Sequence, residues 1–543
     1  MKKFFIVIVV LFYSFLGVQM LLADTTPNHF KFINQKNVAL STPITSNTIT
    51  VSGIDTAAPI SIVGGDYSIN GGGYTSSSGT VTNGNTVTLQ LMSAASFSTT
   101  TTATLTIGGV SGAFSVKTLP ADTKPDKFTF TPQTGVELDT VITSNAIMVS
   151  GINTVTDISI VGGTYSINGG PYTSAPGTGT VNEGDTVTVR QTSAGSYGKK
   201  TTATLTIGKV KGAFSVTTLR LTQADLTGTW RMNLLRTGSD TKWERGRVSI
   251  DSSGVMTCLS YSTSGGGTCP SPFDLKLTMH SATGVITESG ANASTNSHLM
   301  MTSNKNFMVG TGTNDSHPGR SYQLLVVQKD TGDTYSAAAV QNKSFVVHQL
   351  EVGASGNGWR YSSNTTDAAG AVTCNSETTP SGTTGPYVTG VTFSVDSNGV
   401  VTASPGMDTY QGFLADDKKT IVATFTDGTV YKLQIAQITG QTYTDDALSG
   451  TWYAHMLTTL PSWIHFTAAI ASDGVFSFSH WVSSYSGSSG PKTTTTFKIN
   501  SSGAITLAED ASFHGQMSDD GKFMVTTQTM NGPSDYGFDV YTR

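Results

Sequence analysis

One stretch of the chain decides the fold: Leu448-Ser449-Gly450-Thr451-Trp452, followed by Trp463 and by Ser472-Asp473-Gly474-Val475. The same pattern stands earlier as Leu226-Thr227-Gly228-Thr229-Trp230, Trp243 and Asp251-Ser252-Ser253-Gly254-Val255. A third, more divergent copy contains Phe345, His348, Leu350, Trp359 and Asp367-Ala368-Ala369-Gly370. The C-terminal part of the chain is therefore one β unit repeated three times, over residues 222–332, 333–440 and 441–543.

Each unit alternates short apolar-polar runs with turn residues, and we expect about eight strands in each. Two architectures hide one face of such strands: an up-and-down barrel within each unit, or two four-stranded blades per unit in a six-bladed propeller. The opening Gly450-Thr451-Trp452, followed by a strand and Asp473-Gly474, resembles the first hairpin of avidin and lipocalin barrels. This resemblance favours three barrels, with the propeller as the alternative.

Residues 24–121 and 122–221 form a second repeat. Val51-Ser52-Gly53-Ile54 returns as Val149-Ser150-Gly151-Ile152, and Tyr67-Ser68-Ile69-Asn70 returns as Tyr165-Ser166-Ile167-Asn168. Each copy is typical in length of an immunoglobulin-like sandwich of about seven strands. The pair resembles the tandem Ig-like modules of bacterial secreted and surface proteins, which implies a spacer role.

The composition is that of an exported all-β protein, with 59 glycines among 543 residues and only 12% charged residues. The net charge is −5, and the sequence contains no basic stripe, so we expect no nucleic-acid partner. Lys2 and Lys3 precede an apolar run that ends at Ala23, which predicts a cleaved signal peptide over residues 1–23. The mature protein is then expected outside the cell, on the cell surface or in the periplasm, without a membrane association.

Three cysteines remain in an oxidising compartment. Cys258 and Cys269 flank Gly265-Gly266-Gly267, a spacing that lets neighbouring strands of a hairpin be bridged, and we predict a disulfide between them. Cys374 then lacks a partner. It occupies the place of Cys258 in the next unit, which indicates a small buried residue rather than a reactive thiol.

Histidine is the chemically suggestive residue that recurs at fixed places, and unit three has His455 and His514 at two of them. If both positions face the inside of a barrel, these two side chains pair and contact a ligand. A metal needs a third ligand, and no spacing supplies one, so a structural polar pair is favoured and no metal or cofactor is expected. The equivalent positions hold His348 and Asn233, and His298 and Gln411.

Trp481 is the one tryptophan outside the repeat pattern, which makes it a candidate for stacking on a sugar. The chain contains no Gly-x-Ser-x-Gly elbow, His-Glu-x-x-His helix or P-loop. The sequence therefore favours a non-catalytic binding or adhesion protein over an enzyme, with an extracellular polysaccharide or protein as partner. The alternatives are a carbohydrate-active hydrolase and a set of small-ligand barrels, the last of which requires a cavity in each unit.

Overall fold

A computed structural model describes residues 23–174, 179–317, 319–354, 356–407, 409–484, 487–489, 495–530 and 534–543. The predicted signal peptide lies outside the described residues, except for Ala23. The chain forms two compact units. The first contains the residues up to Asp126 together with Val149–Asp157 and Thr180–Gly184, and the second contains Lys127–Met148, Ile158–Gly179 and Asp185–Arg543.

The N-terminal repeat is a β-sandwich of two sheets. Its strands are β1 (Gln35–Val38), β2 (Pro43–Thr45), β3 (Ile49–Thr50), β4 (Ala58–Val63), β5 (Asp66–Ile69), β6 (Gly79–Val81), β7 (Thr86–Met92), β8 (Thr100–Ile107) and β9 (Val110–Thr118). One sheet has the order β1-β9-β8-β4-β6, with β1 parallel to β9, and in the other β7 pairs with β2, β3 and β5. Alternate residues of β4 are buried, as the polar-apolar alternation predicts.

The second repeat has the same topology. Its strands are β10 (Gln133–Val136), β11 (Val141–Thr143), β12 (Ile147–Met148), β13 (Thr156–Val161), β14 (Thr164–Ile167), β15 (Thr173–Ser174), β16 (Gly179–Val181), β17 (Thr186–Thr192), β18 (Lys200–Ile207) and β19 (Val210–Thr218). The sheets have the orders β10-β19-β18-β13-β16 and β11-β17-β14-β15, with β12 also on β17. Both copies have more strands than the seven expected, because segments of two to four residues form short strands of their own.

The first C-terminal unit, called barrel 1, is an eight-stranded antiparallel sheet that follows the short helix α1 (Gln223–Leu226). Its strands are β20 (Gly228–Gly238), β21 (Lys242–Ile250), β22 (Met256–Thr263), β23 (Lys276–His280), β24 (Val285–Ser289), β25 (Thr295–Met301), β26 (Phe307–His317) and β27 (Gly319–Asp330). The sheet order runs from β22 to β23 without a ladder between these two ends in the described residues. A single bridge between Val255 and Lys276 joins them, so barrel 1 is half open.

Barrel 2 follows a 3-10 helix at Ala337–Ala339 and closes completely, because β29 pairs with β30. Its strands are β28 (Ser344–Gly353), β29 (Gly358–Thr366), β30 (Ala371–Thr379), β31 (Gly382–Thr384), β32 (Tyr387–Val395), β33 (Val400–Ser404), β34 (Gln411–Leu414), β35 (Thr420–Asp427) and β36 (Val430–Ile438). The short β31 adds a hairpin to β30 outside the ring of eight.

Barrel 3 follows a 3-10 helix at Asp445–Leu448 and closes in the same way, through β38 and β39. Its strands are β37 (Gly450–Thr458), β38 (Ser462–Ile470), β39 (Val475–Ser483), β40 (Gly487–Ser489), β41 (Thr495–Ile499), β42 (Ala504–Leu507), β43 (Asp510–Met517), β44 (Phe523–Thr529) and β45 (Tyr536–Thr542). The prediction of barrels is confirmed, and the propeller alternative is wrong, because each unit pairs its strands into a sheet of its own.

The Gly-x-Trp stretch closes one end of a barrel. In barrel 1 the Trp230 indole donates a hydrogen bond to the carbonyl oxygen of Leu226 at 2.7 Å, and in barrel 3 Trp452 does the same to Leu448 at 2.8 Å. Both tryptophans are fully buried. The short helix is thereby held over the barrel interior, so its leucine fills the end of the core.

The turn between the second and third strands depends on an aspartate and a glycine. Asp251 Oδ1 accepts hydrogen bonds from the backbone N–H groups of Ser253 and Val255, both at 2.9 Å. Gly254 has φ +88°, and a Cβ there would lie 1.9 Å from the Leu277 carbonyl oxygen. Only glycine fits this position, which explains why the Asp-x-x-Gly spacing marks a turn in the sequence.

The outer faces of the three barrels pack against one another in a shared apolar cluster, called the central core. In each barrel the first, seventh and eighth strands supply equivalent side chains to it, and the second strands of barrels 1 and 2 add Trp243 and Trp359. The members include Leu235, Trp243, Phe307, Val309, Leu324 and Val326 of barrel 1, Leu350, Trp359, Val422, Leu433 and Ile435 of barrel 2, and Leu457, Phe523, Val525, Phe538 and Val540 of barrel 3. These strands are therefore buried on both faces.

Nowhere in the part of the chain that the structure describes is there a helix with the length and apolar composition needed to cross a membrane.

Candidate functional site

Three tryptophans link the barrels in a cycle. Trp243 of barrel 1 donates its indole N–H to Thr426 Oγ1 of barrel 2 at 2.8 Å. Trp359 of barrel 2 donates to Thr529 of barrel 3 at 3.1 Å, and Trp463 of barrel 3 donates to Thr313 of barrel 1 at 2.9 Å. The same contact therefore occurs at all three interfaces, which makes the arrangement of the barrels approximately threefold.

The position that holds Asn233, His348 and His455 lies on the outer face of the first strand, at these interfaces. Asn233 donates to the Val422 carbonyl oxygen at 3.2 Å and accepts from Thr424 Oγ1 at 3.2 Å. His348 Nδ1 is hydrogen bonded to Thr527 Oγ1 at 3.3 Å. All three side chains are fully buried. The polar group at this position, and the hydrogen bonds it makes, differ from one interface to the next.

His455 lies between barrels 3 and 1, in a row of imidazole rings. Its ring centroid is 4.8 Å from that of His465, which stacks in turn on His298 at 4.9 Å. Neither nitrogen of His455 has a hydrogen-bond partner among the described residues. Burial, followed by the nearby His465 and His298, holds its pKa well below the ordinary value of 6.5. His455 is therefore neutral in the folded protein.

The structure does not pair His455 with His514, so this sequence-based expectation is corrected. His514 lies between barrels 2 and 3, where it stacks on Tyr361 at 4.7 Å between ring centroids. Both histidines stand at outward positions, since the neighbouring Ala454 and Phe513 belong to the interior cluster of barrel 3. Within the described residues, no group of three His, Cys, Asp or Glu side chains could hold a metal ion.

We expect His455 to make the protein less stable below about pH 6.5, the unperturbed histidine pKa. The unfolded chain binds a proton there and the folded chain does not, so stability falls with falling pH by about 1.4 kcal/mol per pH unit. Urea unfolding of the wild type and His455→Asn between pH 8 and pH 5 measures this. The difference between their unfolding free energies should change by about 1.4 kcal/mol for each pH unit below pH 6.5.

Two features make this comparison clean. Asn233 already occupies the equivalent position in barrel 1, so the variant side chain suits the fold. Replacing the exposed His280 by asparagine serves as the control for the same substitution at the protein surface. Parallel pH profiles for the wild type and His455→Asn would contradict a buried neutral imidazole.

Barrel 1 contains a cavity of about 500 Å³. Its wall combines apolar side chains with charged, amide and hydroxyl groups. The apolar wall includes Met232, Leu234, Leu299, Met308, Leu325 and Val327. A volume within the range of about 300 to 1,000 Å³, with apolar walls and a few placed polar groups, is typical of a small-molecule site.

Four charged residues form a closed set of ion pairs at the end of β20 away from α1, and three of them line the cavity together with Glu288 and Asp315. Arg236 pairs with Asp240 at 3.2 Å and with Glu244 at 3.0 Å, while Lys242 pairs with the same two acids at 2.8 and 3.5 Å. Burial, with Glu244 beside it, raises the pKa of Tyr261, which lines the same cavity. The set offers donors and acceptors in equal measure and no excess of one charge.

Barrel 2 contains a second cavity, of about 360 Å³. At one end of this barrel, two charged positions have the opposite sign to their equivalents in barrel 1. By strand register, Glu351 occupies the position of Arg236, and Arg360 occupies the position of Glu244. Arg360 donates to Glu351 at 2.5 Å, and Lys432 lies 3.3 Å from the same acid. Burial opposes ionisation of Glu351, but Lys432 and Arg360 outweigh it and lower its pKa.

Aromatic side chains fill the interior of barrel 3. They include Trp452, Phe466, Phe476, Phe497, Phe513 and Tyr541. Trp481 is half-buried against this cluster. By register it occupies the position of Tyr261 and Glu377, so it belongs to the repeat after all, and sequence reasoning missed this because the three residue types differ.

The three cysteines lie in barrels 1 and 2. Cys258 and Cys269 form a disulfide, with their Cα atoms 5.8 Å apart, beside the gap between β22 and β23. Cys374 is free and buried, and it lines the cavity of barrel 2. The sequence correctly indicated that Cys374 occupies the position equivalent to Cys258 in the repeat. It did not indicate that this position faces a cavity.

No protein-family model matches the sequence, and no curated protein matches it. Solved structures with some similarity include a tandem from titin, at 11% identity and a TM-score of 0.16 over 48% of this chain and 95% of that chain. They also include isotype 1 transferrin-binding protein B from serogroup B Neisseria meningitidis, at 8% identity and a TM-score of 0.18 over 71% and 86%. Domains 4–9 of the surface layer protein SbsC match at 10% identity and a TM-score of 0.16 over 78% and 75%. Similarities at these TM-scores support no argument about this chain.

Proposed function

We propose that the protein is an exported, non-catalytic binding protein, with the sandwiches as spacer and the barrels as recognition region. Within that region, the cavity of barrel 1 holds a small amphipathic ligand. The observation that carries the proposal is this cavity of about 500 Å³, apolar on one side and ringed by ion pairs on the other. Export is supported by the signal-like N-terminal sequence and by the disulfide between Cys258 and Cys269.

The wall chemistry defines the ligand. An apolar body is stabilised by contact with Leu234, Leu299 and Val327, by about 25 cal/mol for each Å² removed from water. The polar end of the ligand faces Arg236, Lys242 and the two acids that pair with them. The four charges of this set balance one another, and Glu288 and Asp315 add two acids to the wall, so a neutral or cationic head group is favoured over an anionic one.

The opening between β22 and β23 gives barrel 1 a feature that barrels 2 and 3 lack in the described residues, where the ladder is closed. The disulfide ties the segment around Cys269 to β22, next to this opening. A ligand that enters there reaches the apolar wall without breaking a strand ladder. Barrel 1 is therefore the recognition site proposed for this protein, and a polysaccharide or protein partner of the outer surface stays a prediction.

We expect the full chain to bind N-phenyl-1-naphthylamine, a neutral fluorophore with an apolar body and one polar group, with a rise in fluorescence. Met232 is half-buried in the cavity wall, so Met232→Trp fills the cavity and should weaken binding by about tenfold or more, equivalent to about 1.4 kcal/mol. Fluorescence titration measures both affinities.

Leu460→Trp is the matched control, because it adds the same side chain at a position of barrel 3 that is 51% exposed. This variant should bind the fluorophore as the wild type does. Circular dichroism melting of all three proteins checks that each is folded. Equal affinity of the wild type and Met232→Trp, or a folded wild type that leaves the fluorescence unchanged, argues against a site in barrel 1.

A further inference from the structure

We propose that barrel 2 contains a second binding site, for a small neutral saccharide or a polyol of similar size. The site is separate from that of barrel 1, so the inference does not depend on the function proposed above. Three observations carry it: a ring of buried amide and hydroxyl side chains, two buried polar atoms without partners, and an aromatic surface in the same cavity.

Four amide and aliphatic hydroxyl side chains line the cavity of barrel 2, and each is at most 9% exposed. They are Gln349, Ser362, Asn364 and Gln434. Burying such groups opposes folding unless hydrogen bonds compensate for the lost water. Gln349 donates to Glu351 at 2.5 Å and Asn364 donates to Ser362 at 2.8 Å, so hydrogen bonds inside the barrel compensate for only part of this cost.

The other two barrels show that the fold does not require these polar residues. By strand register, barrel 1 places Leu234, Gly246, Val248 and Leu325 at the same four positions. Barrel 3 places Met456, Phe466, Ala468 and Asp539 there. Barrel 2 alone has four neutral hydrogen-bonding groups, so this chemistry is particular to its cavity.

Part of this polar wall is unsatisfied. Among the described residues, Gln434 Oε1 and Tyr410 Oη have no hydrogen-bond partner, and both side chains line the cavity. Tyr410 is 3% exposed, and burial raises the pKa of its hydroxyl, which keeps it neutral and able to donate. One acceptor and one donor thus remain for a bound molecule, which is the pattern that a hydroxyl group complements.

Aromatic rings provide the apolar part of the site. Phe393 stacks on Tyr410 with 5.6 Å between ring centroids, and Phe425 packs against Tyr410 at 5.2 Å. The C–H face of a sugar ring packs on aromatic rings, while its hydroxyl groups need hydrogen-bonding partners around its edge. The cavity volume of about 360 Å³ is at the small end of the range for ligand sites, about 300 to 1,000 Å³, and suits a mono- or disaccharide.

The test uses the full chain and five probes: glucose, N-acetylglucosamine, maltose, lactose and myo-inositol. Saturation-transfer NMR detects weak binding, and titration calorimetry measures the affinity. We expect at least one probe to bind the wild type. Ser362→Phe should abolish that binding, because it places in barrel 2 the side chain that Phe466 already has at the same register of barrel 3.

Two further variants keep the result interpretable. Gln434→Leu removes the unpartnered acceptor and copies Leu325 of barrel 1, and it should weaken binding by about tenfold even if Ser362→Phe fails to fold. Val388→Phe adds a phenyl ring at a position that is 76% exposed and should bind as the wild type does. The proposal is overturned if a folded wild type binds none of the five probes, or if Gln434→Leu binds them with unchanged affinity.

Discussion

Replacing Asp539 by asparagine is expected to stabilise the protein at pH 8 by about 4 kcal/mol. Burial, opposed by hydrogen bonds from Thr526 and Gln528, raises the pKa of this carboxyl group in the folded protein to about 7, against 3.8 without the fold. Between these values the folded chain binds a proton that the unfolded chain has released. Stability is therefore lost as pH rises from 3.8 to 7, by about 1.4 kcal/mol per pH unit, and stays lost above it.

The surroundings of Asp539 suit an amide. Thr526 Oγ1 and Gln528 Nε2 both donate to Asp539 Oδ2 at 2.8 Å, and an asparagine oxygen can accept both bonds. The other oxygen, Oδ1, has no partner among the described residues, so the amide nitrogen replaces an atom that is already unpaired. The substitution thus removes the buried charge without removing a hydrogen bond.

Urea unfolding of the wild type and Asp539→Asn at pH 8 and pH 5 checks this expectation. The stabilisation should shrink to about 1.5 kcal/mol at pH 5, because pH 5 lies only a little above 3.8 and most of the stability loss occurs between pH 5 and 7. Asp539→Leu is the matched second variant, since Leu325 stands at this register in barrel 1. A stabilisation by Asp539→Asn that is the same at both pH values would mean that the carboxyl group does not titrate as a buried acid.

The fold was predictable because the sequence repeats its turns and its opening hairpin. The Asp-x-x-Gly turns are specified by local hydrogen bonds and by a positive φ that glycine allows, as at Asp251 and Gly254. Gly-x-Trp specifies the closed ends of barrels 1 and 3 through the bonds from Trp230 to Leu226 and from Trp452 to Leu448. Each signal depends on only a few neighbouring residues, so it can be recognised in a single sequence without an alignment.

The faces of the strands were not predictable in the same way. Residues 345–350 of β28 are all buried, because one face lines the interior of barrel 2 and the other joins the central core. A strand buried on both faces loses the polar-apolar alternation that distinguishes inside from outside. For this reason His348 and His455 could be read as interior residues, while the structure places them between barrels.

The cavities depend on single side chains at equivalent positions. Where barrel 3 has Phe466, barrel 2 has Ser362 and barrel 1 has Gly246. The large ring helps to fill the interior of barrel 3, and the small Ser362 side chain leaves space in the cavity of barrel 2. In the sequence this is simply a position of the repeat at which the residue type varies. Its effect on the cavity becomes clear only when the strand register is known and the side chain is seen to point into the barrel. The repeat thus keeps one scaffold and varies what its interiors can hold.

Trp359→Ala is expected to destabilise all three barrels together, by about 4 kcal/mol. Trp359 is 2% exposed, belongs to the central core and donates its indole N–H to Thr529 of barrel 3. The variant removes the buried ring, opens a cavity between barrels 2 and 3 and leaves the Thr529 hydroxyl without this donor. Because the central core contains side chains of every barrel, we expect the three barrels to unfold in one transition.

Scanning calorimetry of the full chain measures this transition, which should move to lower temperature as a whole in Trp359→Ala. Trp359→Phe keeps most of the apolar contact and loses the hydrogen bond, so its shift should be smaller. Tyr74→Ala, at a position of the first sandwich that is 40% exposed, is the control and should leave the barrel transition in place. If Trp359→Ala instead splits the curve, so that barrel 2 melts early and the other barrels melt as in the wild type, the barrels are independent and the central core contributes little to their stability.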